Sequence, residues 1–206
     1  AKVIYPPTMQ PARDMGIPIL IKNTFEPEHP GTRIHATPSS HGPMKGISSI
    51  KSVALLRVCG PGMIGVTGTA GRMFSALAGA AINIIMITQG SSEHSICAVI
   101  VPEDADRAVG AIKEAAALEI LNRKIDDVSV ELNLSIIAAT GEHMHHVPGI
   151  AGKIFQALGC HGVNVVAIAQ GSSERNISIV VREDQVARGM QAIHDAFFVP
   201  SDAAHV

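Results

Sequence analysis

One stretch of this chain occurs twice. The segment Asn83-Ile-Ile-Met-Ile-Thr-Gln-Gly-Ser-Ser-Glu93 returns as Asn164-Val-Val-Ala-Ile-Ala-Gln-Gly-Ser-Ser-Glu174, at an offset of 81 residues (170 − 89). The offset holds without a gap from the Gly60/Gly141 pair through Phe74/Phe155 to Ile96/Ile177. Chance similarity between apolar segments would not keep Gly, Phe, Asn, Gln, Ser and Glu in register over that distance. The chain therefore contains a duplicated unit, and its fold must be built twice.

Each copy has the same pattern. A branched apolar run (residues 53–58 and 134–140) predicts a buried strand. A Gly-containing turn follows, then a helix over about 69–80 or 149–160. Met73, Phe74, Leu77 and Ala81 recur at helical spacing in the first helix, and Ile154, Phe155 and Leu158 in the second. Two strand-like runs come next, 82–88 with 96–101 and 163–169 with 177–181. A second amphipathic helix closes each set, marked by Ala108, Ile112 and Ala115 or by Ala187, Met190 and Ile193. The first copy ends in another strand at 125–131. The order β-α-β-β-α-β is the ferredoxin-like arrangement, so the class is α+β.

The second copy lacks a closing strand after Phe198, while a spare strand-like segment, 45–50, precedes the first copy. An open sheet edge is a liability. The expectation is therefore a nested pair: a first module at 51–132, inserted in a second made of 45–50 plus 133–199. Residues 36–44 read as a linker and 200–206 as a tail. Residues 1–35 hold two strand-like runs and several Pro turns, too little to fold alone, as if they ended something larger.

Composition narrows the function. The 206 residues are 47% hydrophobic, yet contain five Phe, one Tyr and no Trp. Small and branched side chains suit thin modules with helices on one face of a sheet. The net charge of −2 offers no basic field for nucleic acid or an anionic membrane. No apolar run is long enough to span a bilayer and no secretory signal pattern is present. Cys59, Cys97 and Cys160 lack metal-type spacing and read as reduced thiols of a cytoplasmic protein.

Three tempting motifs carry less than they promise. Gly60-Pro-Gly-Met-Ile-Gly65 matches a dinucleotide fingerprint, but the acidic residue expected about 20 positions on is missing from 85–89. The second copy has lost the glycines, so a flexible turn is the better reading. His143, His145 and His146 could in principle hold a metal, yet only Glu142 supports them and the first copy has no histidine there. Ser91, Ser92, Ser172 and Ser173 neighbour a Glu but have no repeated histidine, and fit a turn between strands. No catalytic and no metal residue is expected.

The amides differ. In each copy Asn83 or Asn164 opens an apolar strand and Gln89 or Gln170 closes it. Asn favours the helix-to-strand corner and is explained by turn chemistry as readily as by binding. Gln is not a turn residue, and its amide offers a donor and an acceptor to a small zwitterion. The helix N-termini at Thr69-Ala70 and Ile150-Ala151 supply N–H groups and a dipole for a carboxylate. The expected amino-acid site comprises Met63, Thr69, Ala70, Asn83, Ile84, Gln89 and Ser92 in the first copy. Met144, Ile150, Ala151, Asn164, Val165 and Gln170 are its counterpart in the second.

The module order and the Asn-Ile-x-x-Ile-x-Gln-Gly-Ser-Ser-Glu strand resemble the ACT domains of aspartate kinases. Ala1-Lys-Val-Ile-Tyr-Pro6 and Asn23-Thr-Phe-Glu-Pro-Glu-His-Pro-Gly-Thr32 resemble the last strands of the same family's amino-acid-kinase domain. Tyr5 and Pro7 depart from it, standing where His and Arg are commoner. The resemblance implies an enzyme that phosphorylates L-aspartate with MgATP, on the route to lysine, threonine and methionine. Its nucleotide and aspartate residues lie mostly in a part absent here, so this chain alone is expected to have no kinase activity and no cofactor. The resemblance also implies the nested topology and a homodimer through the ACT modules. Glutamine at both Gln89 and Gln170 looks like the threonine-responsive members, including fusions to homoserine dehydrogenase; lysine is the alternative effector. A free-standing tandem ACT regulator is the other reading, but it leaves 1–35 unexplained.

Overall fold

The computed structural model describes residues 4–35, 43–61, 68–90, 94–141, 144, 147–171 and 175–199. The chain separates into two compact units, residues 1–42 and 43–206.

The first unit opens with helix α1 (Pro6–Asp14), which the sequence does not announce. Pro sits comfortably in a first helical turn because N–H groups there have no intrahelical partner. Strands β1 (Ile19–Ile21) and β2 (Thr32–Ile34) then pair antiparallel. Residues 23–31, expected within a strand, form the loop between them. Asn23 Oδ1 accepts the Phe25 N–H at 3.1 Å, a side-chain turn, and Gly31 adopts φ 75°. Residues 1–3 and 36–42 lie outside the described residues.

The second unit is a six-stranded antiparallel sheet in the order β4-β5-β3-β6-β8-β7. Its backbone is two long strands, β3 (Met44–Cys59) and β6 (Asp127–Gly141), paired along their whole length. The C-terminal half of β3 also pairs with β5 (Ser95–Ile100), which pairs with β4 (Met86–Gln89). The C-terminal half of β6 pairs with β8 (Asn176–Arg182), which pairs with β7 (Val165–Gln170). Residues 46–50 face 136–140, from Gly46 opposite Thr140 to Ile50 opposite Ile136. The spare segment is thus a strand paired with residues 136–140. It is not in a separate sheet, because 44–50 run on into the strand that opens the first copy.

Where the halves join, both long strands are bulged. Ser52 and Asn133, 81 residues apart, have φ of 53° and 59° beside shifts in register. A bulge bends and twists its strand. The result is a sheet folded over itself, with β4 and β7 near one another.

Helices α2 (Thr69–Gly79) and α3 (Ala105–Ala115), with short α4 (Ala117–Leu121), cover one half. Helices α5 (Ile150–Cys160) and α6 (Val186–Phe198) cover the other. Three cores follow. Leu77, Ile112, Val58 and Ile96 fill the first, and Ile154, Leu158, Ile193 and Ile179 the second. The third lies on the helix-free face, where Leu55, Met86 and Val99 meet Ile136, Val180 and the flanks of β7. Strand β5 is consequently buried on both faces, which explains its unbroken apolar run.

Both first helices end in the same way. Ala81 (φ 54°) and Gly162 (φ 63°) are left-handed, and the following Ile82 and Val163 N–H groups bond the Leu77 and Leu158 carbonyls at 3.0 Å. This αL helix end delays the next strands. They begin at Met86 and Val165, later than the expected 82 and 163.

Candidate functional site

Register decides which face each candidate shares. Gln89 stands opposite Ile96, which stands opposite Val58, and that row lies on the face covered by α2 and α3. Gln170 stands opposite Ile177, opposite Ala139, on the face covered by α5 and α6. Both glutamines are exposed, at the outer strand's C-terminal end.

The first turns of α2 and α5 are alike. Each is preceded by a left-handed glycine, Gly68 (φ 89°) or Gly149 (φ 90°), with no side-chain cap. The first intrahelical bonds run from Arg72 N–H to Gly68 and from Lys153 N–H to Gly149, at 2.9 and 2.8 Å. First-turn N–H groups before these have no carbonyl of their own helix to meet. Position 72 and its counterpart 153 both carry a cation, used differently. Arg72 pairs with Glu119 at 3.0 Å, whereas Lys153 lies 4.7 Å from the Phe197 ring centroid.

The other candidates divide by burial. Asn83 and Asn164 are exposed in the turns before β4 and β7, rather than opening them, and the Asn164 N–H donates to Gln185 Oε1 at 3.1 Å. Ile84, Ala70, Ala151 and Val165 are half-buried against the cores. Thr69, Ile150 and Met144 are buried, the last two in the core under α5. What Ile150 and Met144 can offer a small ligand is therefore backbone. Met63, Ser92 and the serines and histidines of segments 91–93, 142–146 and 172–174 lie outside the described residues, Met144 excepted. Among the described residues no group of three His, Cys, Asp or Glu could hold a metal. Gly60 is not a free hinge: a Cβ there would collide with the Lys124 carbonyl, as one on Gly141 would with Pro43.

A feature the sequence reading missed lies on the opposite face. A groove of about 430 Å³ runs between the β3/β4/β5 half and β7, lined by Arg57, Thr88, Gln89, Ser95 and residues 165–168 among others. Its one sequence signal is Arg57, a charge inside an apolar run; which residues flank it depends on strand pairing.

Residues 56–116 and 137–197 each match the ACT domain family, two spans at the 81-residue offset that together exceed half the chain. The chain belongs to the ACT domain family. It is 41% identical over 199 residues to a bifunctional aspartokinase/homoserine dehydrogenase of Haemophilus influenzae, covering 96% of this chain and 24% of that protein. A chloroplastic bifunctional aspartokinase/homoserine dehydrogenase of Arabidopsis thaliana is 38% identical over 206 residues, covering 97% and 22%. The chain thus spans about a quarter of the length of these curated relatives. Among solved structures, Clostridium acetobutylicum aspartate kinase superposes with TM-score 0.82 at 28% identity, over 95% of this chain and 45% of that one. The tandem ACT region is therefore homologous to those of aspartokinases. No described helix is long and apolar enough to cross a membrane.

Proposed function

We propose that this chain is the allosteric regulatory region of a cytoplasmic aspartate kinase and that its effector is L-threonine. The observation that carries this is the duplicated amide. Gln89 and Gln170 end equivalent strands, each on the face of a helix whose N-terminus lacks a side-chain cap. The effector carboxylate meets N–H groups at Thr69-Ala70 or Ile150-Ala151. The glutamine amide and the Asn83 or Asn164 corner take the ammonium and hydroxyl. The relatives named above support the kinase assignment.

The pairing of 46–50 with 136–140 supports reading the first module as inserted in the second. We read residues 1–35 as the end of an amino-acid-kinase domain, whose upstream part binds MgATP and aspartate. A homodimer through the ACT modules transmits the effector signal by way of residues 36–44. Inhibition requires that threonine bind one arrangement better than the other, since equal affinity shifts nothing.

Metabolite sensing needs a dissociation constant near 1 mM, roughly −4 kcal/mol. Titration calorimetry with L-threonine and L-lysine tests the reading. Saturable heat with threonine is expected, together with no aspartate-dependent ATP consumption by the chain itself. Heat from lysine alone would replace the effector; heat from neither would remove the sensing role.

A further inference from the structure

We propose that the helix-free groove is a second ligand site, for a small aliphatic monocarboxylate held by Arg57. Gln89 borders this groove as well, so the two readings are told apart at Arg57, which lies in the row facing away from the helices and which the effector reading does not use. Thr88 stands opposite Cys97, Cys97 opposite Arg57 and Arg57 opposite Ser129, one row across four strands. The neighbouring row through Gln89 and Ile96 lies under the helices instead.

Three observations give the ligand its chemistry. Arg57 is exposed and no ion pair among the described residues engages it. A guanidinium offers a forked set of donors that matches a carboxylate. The opposite wall is Val165, Val166, Ala167 and Ile168, apolar throughout and suited to a short hydrocarbon body. The volume of about 430 Å³ is that of a small-molecule site.

Charge sets the limit to one. Glu131 stands opposite Leu55 and Asp127 opposite Cys59, so both acids lie on this face, diagonal to Arg57. Such diagonals are about 7–8 Å apart, close enough to repel a dianion such as phosphate. The duplication argues that the feature is particular to one half. Arg57 and Thr88 correspond to Ala138 and Ala169. The polar residues remaining at the equivalent place satisfy one another or the backbone: Asn176 Nδ2 donates to Ser178 Oγ at 3.1 Å, and Thr140 Oγ1 to the Gly46 carbonyl at 3.1 Å.

The test is a ¹⁵N NMR titration of the whole chain with 4-methylpentanoate, its neutral amide 4-methylpentanamide, and inorganic phosphate. The acid is expected to shift the Arg57, Thr88 and Val166 signals saturably. Arg57→Ala should weaken it about tenfold or more, as loss of a charged hydrogen bond implies, and Arg57→Lys should lose less. Because Arg57 is exposed, thermal unfolding should be unchanged in Arg57→Ala. Equal binding of acid and amide, tighter binding of phosphate, or an unaltered Arg57→Ala titration overturns the proposal. Failure of threonine to bind removes the effector reading and leaves this one standing.

Discussion

Ala81 does a glycine's work. It ends α2 in the left-handed region at φ 54°, where its counterpart Gly162 ends α5 at 63°. A Cβ in that region costs about 1 kcal/mol. Ala81→Gly is therefore expected to stabilise the chain by roughly 0.5–1 kcal/mol, less the entropy that glycine adds to the unfolded state. Chemical denaturation measures it, and a destabilised variant would contradict the geometry. Gly60 is the reverse case. Its missing side chain lets the Lys124–Asp126 backbone approach, so Gly60→Ala should cost about 1–3 kcal/mol; an unchanged midpoint would show that the two segments can separate cheaply. The duplication made Gly60 and Gly141 visible in the sequence as a matched pair. Their reason was hidden, because the contacting backbone arrives from 64 or more residues away, and a flexible turn was the better of the local interpretations.

At the scale of elements, helices α2, α3, α5 and α6 were legible, while α1, α4 and the strand bounds were not. Met73 and Leu77, or Ile154 and Leu158, sit at helical spacing and end buried, so periodicity located α2 and α5 closely. Strands β3 and β6 were each divided into two, because Lys51-Ser52 and Leu132-Asn133 interrupt the apolar pattern. Those residues are bulges within continuous strands, and a bulge looks like a boundary when pairing is unknown. Position 135 shows how far the copies have diverged within one element. Ser135 is wholly buried, and its Oγ has no hydrogen-bond partner among the described residues, where the first copy has Ala54. A buried hydroxyl without a partner is costly. Ser135→Ala should be more stable by about 1 kcal/mol in urea unfolding; a loss of stability would mean that the hydroxyl finds a partner in solution.

For the molecule as a whole, the folded sheet leaves strand edges available. β4 and β7 end the strand order, and Ile87 and Ile168, again 81 residues apart, are 47% and 40% exposed on them. Exposed apolar edge strands invite pairing with another copy. The proposed homodimer accordingly predicts that Ile87→Lys with Ile168→Lys shifts the species seen by light scattering from dimer to monomer. A wild type that is already monomeric at micromolar concentration would contradict it.

The central claim is that two equivalent amide ends sense threonine. Hydrogen–deuterium exchange with and without L-threonine, on the wild type, Gln89→Ala and Gln170→Ala, tests this most directly. The account predicts slowed exchange in the first turn of α2 with the end of β4, or of α5 with the end of β7, and its loss from whichever end has lost its glutamine. Losing one amide partner costs about 1–3 kcal/mol, most of a millimolar interaction. Protection that is absent from both ends, or that persists unchanged in both variants, would contradict the assignment.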